Sequence, residues 1–368
     1  MGWSTLSELV PYYPLYALLF LDTGLSGAQI SALFAVWSVT GFLTEVPAGA
    51  LADRWSRRGV LVLAAVLQAA GFAVWTAAPA LWAFAVGFVL WGVSSALVSG
   101  AIQALVHDAL AEVGSADEFG RVNGWMSAAD LIAQVPAAFA ASALFVLGGY
   151  PLVGWVSVAV CLAAGALALR FPEPPRERED GASLLGTLRQ GVAEAVHRPS
   201  VRVIVLADAL LGGLDAVEEY FPVLAGSWGV PTAAVPVAVL VIPLTGALGA
   251  ALAGHAERLP TRALLVLLAG AAGCLAVAAV WARPPGLAAV ATFYGIYMAV
   301  LVVAEARLQA RITGPHRATV TSVAGLGVEL ASLPVFAAWA LGGPIAIVVL
   351  FLAVVPVVGA GLRTRAVV

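Results

Sequence analysis

Hydrophobic residues in this chain gather into long runs separated by short polar punctuation. Six runs lie at 5–21, 26–50, 59–78, 80–106, 122–147 and 151–170, and six more at 202–225, 231–254, 263–282, 285–308, 317–341 and 344–362. A helix that crosses a bilayer needs about 20 consecutive apolar residues, so the pattern predicts twelve transmembrane helices. The one long hydrophilic stretch, from Arg170 to Ser200, is rich in proline, glycine and charge and predicts a linker. The expected fold is an all-α polytopic membrane protein, with a six-helix bundle over 1–170, a cytoplasmic linker over 171–200 and a second six-helix bundle over 201–368. Within the linker, Leu184 to Val196 reads as a short amphipathic helix on the membrane surface.

Composition agrees with the pattern. Of 368 residues, 62% are hydrophobic and 11% charged, where a soluble domain has about 45–50% and about 25%. The formal charge of −3 leaves no surplus of cations for nucleic acid, and that class of partner is excluded. All 18 cations are arginines, and cations are retained on the cytoplasmic side during insertion. With both termini cytoplasmic, every arginine except Arg283 falls inside, which predicts a multi-pass protein of the cytoplasmic membrane. The N-terminal stretch lacks a basic n-region and a small-residue cleavage site, so it reads as a first span rather than a signal peptide. Cys161 and Cys274 sit in apolar runs and read as buried thiols. His107, His197, His255 and His316 map to helix ends, so no metal site is expected, and no cofactor motif is present.

The two sets of runs echo each other. Ala52-Asp53-Arg54 followed by Arg57 recurs as Ala256-Glu257-Arg258 followed by Arg262, and Arg121 and Arg317 each open a fifth run. Duplicated six-helix halves are a transporter signature. Residues 45–58, Glu-Val-Pro-Ala-Gly-Ala-Leu-Ala-Asp-Arg-Trp-Ser-Arg-Arg, resemble the signature loop of the major facilitator superfamily, Gly-x-Leu-Ala-Asp-Arg-x-Gly-Arg-Arg/Lys, at the same place between the second and third helices. Gly49, Leu51, Ala52, Asp53, Arg54, Arg57 and Arg58 match, and Ser56 replaces the usual glycine. Segments around Leu21-Asp22 and Gln103 to Asp108 are also similar to family segments, so the resemblance covers essentially the whole chain. It implies a conformational gate of Gly49, Asp53, Arg54, Arg57 and Arg58 with Asp108. In that gate Gly49 permits close helix approach, Asp53 sits at a helix N-terminus and the arginines pair with carboxylates. The fourth run lacks the arginine, and the fifth the Gly-Gly after Pro136, that proton-driven drug exporters of this family usually carry.

A charge at the bilayer centre costs about 2.5–3.5 kcal/mol on insertion scales, so carboxylates inside the runs are functional candidates. The seventh run holds four. On a continuous helix Asp208, Asp215 and Glu219 fall within about 40° of one another and Glu218 about 60° beyond. These four, with Glu45, Asp130 and Glu329, are the candidates for proton coupling, and Asp215 is preferred. The helix-7 cluster equally suits neutralising a cationic cargo, or passive solvation of Glu218 and Glu219 near the membrane edge. Gly212 and Gly213 are expected to let the helix bend. Glu305 and Arg307 lie on different faces and are poor partners for each other. Tyr12, Tyr16, Trp37, Trp125 and Tyr220 are candidate cavity residues for an organic cargo, with interface anchoring as their alternative role.

The reading these features support is secondary active transport of a small organic molecule by alternating access, expected to be proton-coupled efflux by a monomer. Energy is expected from the proton gradient, because no phosphate loop is present and the chain has no room for a nucleotide-binding domain, and the chain is not expected to be an enzyme. The rivals are an intramembrane enzyme built on Asp130, Asp208 and Asp215, for which only the fragment Gly213-Leu-Asp215 of a Gly-x-Gly-Asp motif exists, and a transport-inactive sensor that keeps the fold.

Overall fold

A computed structural model describes residues 2–171, 199–311 and 317–364, with side-chain surroundings for all of these except Ala50, Asp53, Arg54, Gly100, Ser200 and 317–323. Most of the expected linker, its amphipathic segment, His197 and His316 lie outside the described residues.

The described chain is helical throughout, with no strand. The helices are α1 (Gly2–Glu8), α2 (Tyr16–Asp22), α3 (Gly27–Arg54), α4 (Arg57–Ala77), α5 (Leu81–Glu112), α6 (Phe119–Ala168), α7 (Pro199–Gly213), α8 (Phe221–Ser227), α9 (Val235–Val239), α10 (Val241–Ala256), α11 (Thr261–Trp281), α12 (Leu287–Gln309) and α13 (Arg317–Arg363). Eight helical segments among the described residues are long and apolar enough to cross a membrane, which makes this a multi-pass membrane protein.

Two of the longest helices are interrupted by the same device. In α6 the helix breaks at Gly148 and at Gly149, with φ 60° and ψ −159°, just before Pro151. In α13 it breaks at Gly342 and at Gly343, with φ 57° and ψ −146°, just before Pro344. That backbone region is open essentially to glycine alone. The breaks fall at the boundaries predicted between the fifth and sixth runs and between the eleventh and twelfth.

Three runs expected as continuous helices are interrupted, the eighth at Leu240 between α9 and α10. The first is split into α1 and α2 by a turn that contains Pro11 and Pro14, residues that carry no N–H for a helical ladder. The seventh passes from α7 through a 3₁₀ segment, Leu214–Tyr220, into α8. Pro222 cannot donate to the carbonyl of Glu218, and the Phe221 N–H takes that carbonyl in the tighter register instead.

The chain forms two compact units. One holds the described residues within Met1–Leu25, Val36–Gly181 and Pro231–Val237. Its core is aromatic: Tyr16, Phe20, Phe72, Trp75, Phe88 and Trp91 interlock edge to face, and the indole N–H of Trp75 donates to the Phe84 carbonyl at 3.1 Å. The other unit holds the described residues within Ser26–Ala35, Ala182–Val230 and Ala238–Val368. There the helices touch through small residues: a Cβ added at Gly249 of α10 would lie 1.9 Å from the Gly295 carbonyl oxygen of α12, and one at Gly213 would lie 2.5 Å from the Ala331 Cβ of α13. Close backbone approach is how helices gain contact where lipid provides no hydrophobic drive between them.

Candidate functional site

The 3₁₀ segment reorganises the carboxylates that follow α7. With three residues per turn, positions three apart eclipse one another, so Asp215 lines up with Glu218 and not, as a continuous α-helical wheel predicts, with Glu219. Tyr294 of α12 meets both. Its hydroxyl lies 3.0 Å from Asp215 Oδ1 and 3.3 Å from Glu218 Oε2. The Tyr294 ring is buried, packed edge-on against Phe221, and it occupies the space that a side chain at Gly246 of α10 would take. One turn along α12, the buried Tyr297 donates its hydroxyl to the Leu211 carbonyl at 2.8 Å, near the end of α7.

A phenol has one proton to donate and two carboxylates here compete for it. A protonated carboxyl can donate to the phenol oxygen while the phenol donates to its partner; Asp215 is half-buried and Glu218 exposed.

Asp208 lies two turns nearer the start of α7. It is 7% exposed, and its Oδ1 has no hydrogen-bond partner among the described residues. Glu219 is half-buried and Glu329 of α13 lies on the surface. Gly212 and Gly213 do not supply conformational freedom, since Gly213 has ordinary helical angles. They supply room, because a Cβ on Gly212 would meet Val328 at 3.0 Å. Tyr220 is fully buried in the same unit, stacked on Trp339 at 4.0 Å and hydrogen-bonded to Ser31 at 2.8 Å.

In the other unit, Glu45 accepts a hydrogen bond from Ser99 at 2.7 Å. Asp130 is half-buried, with Oδ1 unpartnered among the described residues, and it lies within electrostatic reach of Glu8 on α1. Tyr13 stacks on Trp91, and its hydroxyl accepts from Gln68 at 2.9 Å. Tyr12 is fully buried against Thr76, its hydroxyl 3.0 Å from Oγ1, and Tyr16 sits inside the aromatic core. Trp37 is half-buried over Trp91 and Trp125 is on the surface.

The loop between α3 and α4 pairs Arg57 with Asp108 at the far end of α5, while Arg58 reaches the Phe171 carbonyl at 3.4 Å. Ser56 caps α4, its hydroxyl accepting the Gly59 N–H at 2.8 Å, which gives the serine at the usual glycine position a definite job. Gly49 departs from expectation: a Cβ there would meet nothing within 4 Å, so it does not serve close packing. The side chains of Asp53 and Arg54 lie outside the described set. Arg307 turns away from Glu305 to bond the Glu257 and Leu259 carbonyls. No group of three or more metal-ligating side chains occurs among the described residues.

Sequence reading passed over Tyr294, Tyr297 and Glu8. The two tyrosines are spaced i, i+3 in an otherwise apolar run, a signal that was available. What they bond to was not, because it depends on which helix packs beside α12.

The family model described as Major Facilitator Superfamily matches residues 1–335. Among solved structures the chain is similar to the nucleoside transporter NupG, with a TM-score of 0.75 at 14% identity, covering 97% of this chain and 95% of that one. It is similar to a D-xylose–proton symporter, with a TM-score of 0.69 at 14% identity and coverage of 99% and 96%. It is also similar to the POT family transporter PepTSo, with a TM-score of 0.74 at 12% identity and coverage of 98% and 97%. At such identities these likenesses show the shared fold.

Proposed function

Because the chain belongs to the major facilitator superfamily, we propose that it is a secondary transporter that exports a small organic molecule across the cytoplasmic membrane in exchange for protons. The observation that carries the reading is the single Tyr294 hydroxyl shared between Asp215 and Glu218. A proton from outside and a cationic cargo from inside compete for these two carboxylates. Competition of this kind is the simplest form of exchange coupling: whichever ligand leaves opens the site to the other. Each elementary charge that enters through 100 mV contributes about 2.3 kcal/mol toward moving cargo uphill.

Residues 1–170 and 201–368 act as the two bundles of alternating access, with both termini cytoplasmic and the monomer as the working unit. The Arg57–Asp108 pair, together with Asp53, Arg54 and Arg58, serves as the gate on the cytoplasmic side. Trp37, Trp125, Tyr12, Tyr16 and Tyr220 are the aromatic candidates for cargo contact, and Glu45, Asp130, Glu219 and Glu329 the further carboxylates in the coupling path.

The test is proton flux into liposomes that carry purified protein and an internal pH dye, with organic cations, anions and neutral drugs added in turn. Cargo-dependent flux that vanishes in Asp215→Asn supports coupling through this helix. Flux unchanged in that variant removes the helix from the mechanism. Silence across the panel favours the sensor reading instead.

A further inference from the structure

The carboxylate that holds the loop between α3 and α4 has a second basic neighbour. Asp108, near the end of α5, gives Oδ2 to Arg57 of α4, and its Oδ1 lies 3.6 Å from Nδ1 of His107, the residue before it. These two are its cationic partners among the described residues. The Arg57 side chain is 14% exposed and that of His107 56%, so the arginine is the inner partner and the imidazole the one that solvent reaches first. The His107 ring stands edge-on to Phe119 at the start of α6, with centroids 5.6 Å apart, which keeps it beside the carboxylate. The charged residues that flank Phe119, Glu118 and Arg121, pair with each other at 2.6 Å. On α3 the side chains of Asp53 and Arg54 lie outside the described residues.

Imidazole is the side chain whose charge ordinarily changes between about pH 5 and 8. An uncharged His107 leaves the Arg57–Asp108 pair alone. A charged one attracts the same carboxylate and repels the guanidinium. A charge-assisted hydrogen bond needs about 2.7–2.9 Å, and the present separation is 3.6 Å. Successive residues of a helix diverge by about 100°, so the gap closes when the carboxylate turns from Arg57 toward His107. Acid favours the state that binds the extra proton more tightly, which here is the state with the Arg57 pair loosened.

We propose that His107 is a pH sensor of the cytoplasmic gate: once protonated, it draws Asp108 away from Arg57 and releases the loop between α3 and α4. The inference rests on the gate assignment in the transport reading above and adds its regulation. Exchange brings protons to the cytoplasm in every cycle, so the sensor responds to the transporter's own product, and acid on that side frees the gate to open there.

The experiment follows the loop without cargo. A spin label is attached through Trp55→Cys, a loop position that is 51% exposed, after the two free cysteines are replaced as Cys161→Ala and Cys274→Ala. Paramagnetic resonance of the full-length protein in lipid nanodiscs then reports loop mobility from about pH 8 down to about pH 5. The mobile fraction is expected to rise about two- to fivefold with acid, the scale of an exposed ion pair. With His107→Gln added the loop stays immobile across the range, and with His107→Arg it is mobile throughout. Both substitutions fall on an exposed side chain and leave the packing intact. A pH response that survives His107→Gln, an immobile loop in His107→Arg, or a loop indifferent to pH with His107 in place overturns the sensor. Each of those results leaves the export reading standing, since no step of the measurement depends on cargo or on Asp215.

Discussion

Replacing Gly249 with alanine tests how the helices around the carboxylate group are held. A Cβ at this position lies 1.9 Å from the Gly295 carbonyl oxygen, and side-chain carbons essentially never approach within 3.0 Å, so α10 and α12 must separate by at least 1.1 Å. The separation strains the contact in which Thr245 Oγ1 donates to the Ala291 carbonyl at 3.0 Å, worth about 0.5–1.5 kcal/mol. Forced overpacking adds about 1–3 kcal/mol. Against this, exchanging glycine for alanine in a helix returns about 1 kcal/mol, so the expected net loss is roughly 1–3 kcal/mol. The control is in the same helix: Gly254 has nothing within 4 Å of its Cβ, and Gly254→Ala is expected to be neutral or slightly stabilising. Thermal melting of the purified proteins in one detergent compares the two. Because α12 carries Tyr294, Gly249→Ala is also expected to weaken proton-coupled flux. Equal melting of the two variants would refute the reasoning, since it would mean that the helices do not touch backbone to backbone at Gly249.

Tyr294→Phe removes the hydroxyl between Asp215 and Glu218; hydrogen bonds to charged groups are worth about 1.5–3 kcal/mol, so cargo-dependent proton flux should fall about tenfold or more while the variant still folds. Ser56→Ala should cost about 1 kcal/mol of thermal stability and Ser56→Gly only a few tenths, because the α4 cap is lost in one and tolerated in the other; equal melting temperatures would count against the cap. Arg57→Ala and Asp108→Ala should each lower transport, and the swap Arg57→Asp with Asp108→Arg should recover part of it, measured as flux in liposomes; no recovery would mean that the loop does not act through this pair. Tyr220→Phe should lower the melting temperature by removing the buried bond to Ser31, at about 0.5–1.5 kcal/mol.

The amino-acid sequence by itself determined the solvent and the family. Twelve apolar runs follow from the length rule of the bilayer, and the loop at residues 45–58 was legible because its residues are consecutive. The partnership of Arg57 with Asp108 was also within reach, since both sit at predicted helix ends. Packing decided the rest. The seventh run looks like one amphipathic helix until Pro222 withdraws an N–H and the chain tightens, which turns Asp215 toward Glu218 and away from Glu219. Local periodicity cannot reveal such a change, because it assumes a single helical pitch. Nor could it reveal that Tyr294 stands beside those carboxylates, or that Gly212 makes room for Val328 of α13, since each depends on which backbones approach within contact distance. The repeat that closes each half, Gly148-Gly149 before Pro151 and Gly342-Gly343 before Pro344, was visible as letters. Only the backbone angles gave those letters meaning, because glycine alone can enter the conformation that breaks the helix there.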